Sequence, residues 1–232
     1  MTPSELEMIS PHLELQVSKR ARRVALRLDS AKRVMKLVVP EKFSMKKAKK
    51  FALEHQGWIR EKIAELPDPI KLEHGAVIPI LGQDRTIFVT HKHDTKITRV
   101  HLQESALLVE TNQADPAKRI LRYLKNESRQ TLGNLAREKA QSINKNIRSI
   151  QIRDTKTRWG SCGPDGTISF SWRLIFAPWS AMDYVVAHEA AHLVHMDHSK
   201  KFWNLCESLS EDYTSGKKWI RKNGNDLLRY GA

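Results

Sequence analysis

Cysteine is nearly absent from this chain of 232 residues, occurring only as Cys162 and Cys206. Two thiols are too few for a disulfide scaffold, which excludes the small folds built on such frameworks. Met1 to Ser10 lack the basic and apolar regions of a secretory leader, and no apolar run approaches the ~20 residues that cross a bilayer. These absences lead us to expect a soluble, cytoplasmic protein with no membrane partner. Internal repeats and low-complexity tracts are missing too. Acidic residues are in short supply, with 26 Asp and Glu against 40 Lys and Arg, for a net charge of +14 and a pI near 9.9. Such a balance favours an anionic partner, which nucleic acid, nucleotide, acidic lipid or an acidic protein would satisfy. With 40% apolar and 28% charged residues, wholesale disorder and collagen-like architectures are excluded.

The charge is uneven: residues 1–66 carry +7 and 118–158 carry +9, whereas 67–117 carry −2 and 159–232 are neutral. Apolar residues alternate at Leu13, Leu15, Val17, at Val24, Leu26, Leu28 and at Val34, Leu37, Val39, which predicts strands. Asp29 to Lys32 reads as a hairpin turn between the last two. Ser44 is placed to cap a helix running to about Leu66, which Pro67 and Pro69 stop. Short strands are expected at 77–81, 86–90, 97–102 and 106–110. Asp115-Pro116 predicts the start of a helix reaching about Ile143, with Lys118, Arg119, Arg122, Lys125, Arg129 and Arg137 on its outer face. Strands at 147–153 and 167–172 flank a Gly-rich turn, and Ser180 with Asp183 resembles a capping box opening a helix through about Val194. The expected fold class is α+β, with a β-rich N-terminal region (1–112, containing one helix) packed on a compact, mainly helical core (113–232).

Chemistry concentrates in Asp183 to His198. His188 and His192 are four residues apart, so on a helix their rings project from one face and can share a metal ion. Glu189 falls beside the metal, where its carboxylate can take a proton from a metal-activated water without being a ligand. Chance placement of this pattern in a protein of this composition is expected roughly 0.03 times. A catalytic zinc normally has three protein ligands and a water. His195 lies about 10 Å along a straight helix from His188, too far to share one ion comfortably. If the helix ends near Val194 or His195, the backbone can turn back and present His198, at the spacing His-Glu-x-x-His followed by His six residues later. Asp197, and Glu207 on a following helix, are the alternatives. Ser199 can cap that helix, in which Phe202, Trp203, Leu205 and Leu209 read as packing and Cys206 as a buried thiol.

Arg158-Trp159-Gly160-Ser161-Cys162, followed by Gly163-Pro164-Asp165-Gly166, reads in isolation as a hairpin with a structural Trp. A functional reading sets its edge beside the metal, offering backbone N–H groups or the Ser161 hydroxyl to a substrate. This segment, the run Asp183-Tyr184-Val185-Val186 into His188-Glu189-Ala190-Ala191-His192, and His198-Ser199-Lys200-Lys201-Phe202-Trp203 together resemble the YgjP-like metallopeptidases. That family is similar to the WLM and SprT-like (Spartan) groups of zincins. The tail Asp212-Tyr213 with Lys218-Trp219-Ile220, the basic N-terminal strands, Trp58-Ile59 and Leu81-Gly82 extend the resemblance over nearly the whole sequence. Ala190, where a larger apolar residue is common, and Ser210, where the tail often has Pro, depart from the pattern.

The resemblance implies a zinc ion held by His188, His192 and His198, Glu189 as general base, and a zincin-like core. The expected function is hydrolysis of a peptide or protein substrate by a metal-activated water. The oxyanion partner is not identified; Tyr184, one turn before His188, could reach the site, but reads first as a core tyrosine. Two alternatives stand beside it: a metal-dependent nucleoside triphosphate hydrolase drawing on the basic residues, and a DNA-associated protease or zinc-binding protein. No P-loop is present. The oligomeric state is left open.

Overall fold

A computed structural model describes residues 8–30, 32–94 and 96–231, and it is α+β. Ala31 of the expected turn, and most of the segment read for a leader, lie outside the described residues. The protein divides into two compact units between Pro69 and Ile70.

In the N-terminal unit, strands β1 (Leu13–Ser18), β2 (Ala25–Asp29) and β3 (Val34–Pro40) form a sheet ordered β1-β3-β2. The parallel β1–β3 register pairs Leu13 with Met35 and Leu15 with Leu37, so the period-2 apolar set falls on one face. β2 and β3 form the expected hairpin, where Asp29 Oδ1 accepts from Lys32 N at 3.2 Å. Ser44 caps α1 (Met45–Glu54) by accepting from Lys47 N at 3.5 Å, but the helix expected to reach Leu66 breaks at His55, and α2 (Gln56–Ala64) follows. At the break the imidazole Nδ1 of His55 takes the Phe51 carbonyl at 2.8 Å while the His55 N–H turns to Leu53 O. A side chain has replaced the backbone in that turn's hydrogen bonding. Ile9, Met35, Leu37, Val39, Ala48, Ala52 and Ile59 fill the core of this unit.

The C-terminal unit holds two sheets. β4 (Val77–Ile80), β5 (Gln83–His91), β6 (Arg99–Leu102) and β7 (Ala106–Thr111) are ordered β4-β5-β7-β6. β8 (Ser149–Arg153), β9 (Gly160–Cys162) and β10 (Thr167–Ser171) are ordered β8-β10-β9. Ile78, Ile87, Leu107 and Val109 share one core with Phe170, Trp172 and Val186. The first of these sheets thus packs with the helices that follow it.

Helix α3 (Ala117–Ser142) starts where Asp115 Oδ1 accepts from Ala117 N at 2.9 Å, and buries Ile120, Leu124, Leu132, Leu135 and Ala136. α4 (Trp179–Ala191), α5 (Lys200–Leu209) and α6 (Tyr213–Asn223) complete the unit. The capping box expected at Ser180 is not formed: Pro178 precedes the first turn, and both Ser180 and Asp183 lie inside α4. Asp183 is fully buried and ion-paired to Lys139 Nζ of α3; its Oδ2 accepts from Glu211 N at 2.7 Å, and Lys139 also donates to Leu209 O at 2.6 Å. One buried ion pair thus fastens α3, α4 and the α5–α6 connection together. Across α4, an added Cβ on Gly216 of α6 would lie 2.2 Å from Ser180 O and 2.6 Å from Tyr184 Cβ, so only glycine permits this helix contact. None of the described helices is long and apolar enough to cross a membrane.

Candidate metal centre

Helix α4 ends at Ala191, earlier than the hydrophobic run suggests, and His192 is its C-cap. Leu193 N and His195 N close the last turn on Ala190 O and Ala191 O. The backbone then reverses, and Ser199 caps α5 by accepting from Phe202 N at 3.5 Å. This reversal sets His198 against the two imidazoles of α4. The candidate ligand nitrogens of His188, His192 and His198 all lie within 4.8 Å of one another, and His188 Nε2 is 3.3 Å from His198 Nε2. Among the described residues they are the one such group of three donors. Asp197 and Glu207 do not join them: Asp197 is exposed and accepts from Ser199 N at 3.4 Å, and Glu207 is exposed on α5. His195 contributes its backbone, its carbonyl lying 3.0 Å from His192 Nδ1. That contact places the ring proton on Nδ1 and leaves Nε2 free to ligate.

Packing orients the rest. Phe202 is fully buried, and its ring centroid lies 4.9, 4.5 and 4.7 Å from those of His188, His192 and His198, forming an apolar floor under all three. Half-buried Trp203 stands 5.6 Å from His188 and 5.5 Å from His198. Burial pushes the His188 pKa down to about 4, reinforced by His192, His198 and then Lys217; burial likewise lowers that of His192. Both are therefore neutral near pH 7, the state in which imidazole binds metal.

Glu189, 5% exposed, has its pKa raised to about 8 by burial, against which Arg158 pulls downward. It faces β9. A Cβ on Gly160 would lie 2.4 Å from Glu189 Oε1 and 2.6 Å from its Cγ, so the carboxylate occupies the space that a side chain at 160 would fill. β8 and β10, which sequence reading sets either side of a turn, pair in parallel; the hairpin is the antiparallel β9–β10 pair. Among the described residues, β9 has β10 as its sole sheet neighbour. Trp159 O accepts from Ser171 N, and Gly163 N donates to Thr167 O, both at 2.8 Å. By strand alternation, the backbone groups of Gly160 and Cys162 face the open edge.

Tyr184 is 9% exposed, burial pushes its pKa up to about 12, and its ring lies 6.2 Å from that of His188. It is a core residue. Trp159 is structural as well, its Nε1 lying 2.9 Å from where a Gly224 Cβ would be. Burial pushes the thiols of Cys162 and Cys206 up to about 11 and about 12, which leaves neither a nucleophile near neutrality. Part of the basic block at 118–158 serves structure: Lys139 is buried on Asp183, Lys125 reaches Asp154 at 3.6 Å, and Arg148 reaches Asp165 at 3.0 Å. Sequence reasoning missed the roles of Gly160, Lys139 and the Tyr213–Lys217 pair of α6, although Gly160 and Tyr213 both lie inside segments that carry the family resemblance.

Among protein families, the model described as YgjP-like, metallopeptidase domain, matches residues 22–223. No curated protein and no solved structure was matched.

Proposed function

The protein belongs to the YgjP-like metallopeptidase family, and on that premise we propose a zinc-dependent peptidase in which His188, His192 and His198 hold the ion and Glu189 is the general base. The observation that carries this reading is the convergence of three imidazole nitrogens beside a buried carboxylate. The donor set suits zinc, for which three imidazole nitrogens from a helical turn and the bend after it would serve as ligands. His188 Nε2 and His198 Nε2 lie 3.3 Å apart, a spacing that a shared cation or proton suits. When bound, zinc supplies positive charge that favours ionised Glu189, lowers the pKa of a water and polarises the scissile carbonyl.

Glu189 then takes the proton of the attacking water and returns it to the leaving amine. Gly160 keeps that carboxylate in place by having no side chain. The open edge of β9 supports a peptide over a phosphoanhydride, because Gly160 and Cys162 present backbone donors and acceptors that an extended peptide matches.

Elemental analysis of the purified protein should find about one equivalent of zinc. His198→Ala should lose both the metal and peptide cleavage while keeping its circular dichroism. Cleavage that survives chelation, or phosphate release from nucleoside triphosphates without any peptide turnover, would overturn the reading. Gly160→Ala should retain zinc yet cleave peptides about 100-fold more slowly, since displacing a catalytic group by an ångström costs that order. An unchanged rate would show that the Glu189 position does not matter.

A further inference from the structure

Lys217 of α6 is a cation over the Trp203 ring, which packs on His188 and His198, and it has no carboxylate partner among the described residues. Its Nζ lies 4.5 Å from the centroid of Trp203 and 4.8 Å from that of Tyr213. It donates to the Tyr213 hydroxyl at 2.7 Å. Neither ring nor phenol neutralises it. The α6 backbone that carries it is fixed, because the adjoining Gly216 is seated against the α4 backbone at Ser180, and Tyr213 packs 5.5 Å from Tyr184 in an edge-to-face contact. The Lys217 residue itself remains exposed.

We propose that Lys217, steadied by Trp203 and Tyr213, is the anchor for a carboxylate on the peptide substrate. The inference rests on the peptidase reading above. Imidazole ligands bring no negative charge to offset a divalent ion's, and a further cation nearby raises the local potential. Glu189 lies on the β9 side, and Asp197 is engaged with Ser199. An anionic substrate group relieves this excess, whereas a neutral peptide does not. Tyr213 adds a donor: with its oxygen accepting from Lys217, its O–H is free to point at the same carboxylate. Ammonium and phenol together form a two-donor site of the kind that holds carboxylates by charge-assisted hydrogen bonds.

The carboxylate has two sources, the free C-terminus of the substrate or an Asp or Glu side chain. Peptides identical in sequence but ending in a free acid or an amide test the first; peptides with Glu or Gln next to an amidated end test the second. In the zinc-loaded enzyme, the member carrying the extra carboxylate in one of these two pairs should show a KM about tenfold lower. Lys217→Met should bring that ratio to about one, Lys217→Arg should keep most of it, and Lys217→Glu should invert it. The same peptides titrated calorimetrically into the Glu189→Gln protein give the affinity ratio without turnover, so a failed peptidase assignment and a failed anchor are told apart. Equal affinity for the acidic and neutral members, no binding of either, or a Lys217→Met variant that loses kcat on both with the ratio intact would overturn the proposal.

Discussion

Replacing Glu189 with Gln is expected to lower kcat for peptide hydrolysis by about 1,000-fold while zinc content stays at the parent level. Glutamine fills the same volume against Gly160 and can still hydrogen-bond, but it cannot accept a proton. Folding should not suffer. The carboxyl is buried with its pKa pushed up, so the charged form is the one the folded protein disfavours, and an uncharged isostere removes that burden. Elemental analysis, melting temperature and kcat measured on one preparation separate the outcomes. Full activity would remove Glu189 from the mechanism, and simultaneous loss of zinc would make it a ligand.

A second large effect is expected far from the chemistry. Lys139→Met should destabilise the C-terminal unit by about 3–5 kcal/mol, because it strands the fully buried carboxylate of Asp183. For a unit of this size that corresponds to a fall in melting temperature of about 10 °C. The double variant Lys139→Met/Asp183→Leu should recover much of the loss, since neither charge is then left unpaired. Equal melting temperatures for the parent and Lys139→Met would show that the pair does not hold these helices. Asp183 lies five residues before His188 on α4, so the single variant should also loosen zinc binding where the double variant does not.

Periodic and punctuated features were legible in the sequence. Alternation at Leu13 to Val39 located three strands, Asp115 located the start of α3, and the spacing of His188, Glu189 and His192 put all three on or at the end of α4. His198 stood as one of three candidates on the residues alone, since its place depends on where α4 ends. That end is set by backbone closure at Ala190 and Ala191, not by any glycine. The break at His55 was hidden because it depends on an imidazole competing for one carbonyl. Asp183 looked like a cap because residue type and spacing cannot show that Lys139, on a different helix, reaches it. Parallel pairing of β8 with β10 was concealed for a similar reason: short strands separated by turn residues look alike whichever way they pair.

The brevity of β9 governs what could be gripped there. Two residues of outward-facing backbone can hold a visitor at only a handful of atoms. A polypeptide segment can meet that ledge only after giving up its own helix or sheet partners. Under the peptidase reading, loosened or unravelled polypeptide would be cut in preference to well-folded protein, and the short hold would let the fragments leave quickly.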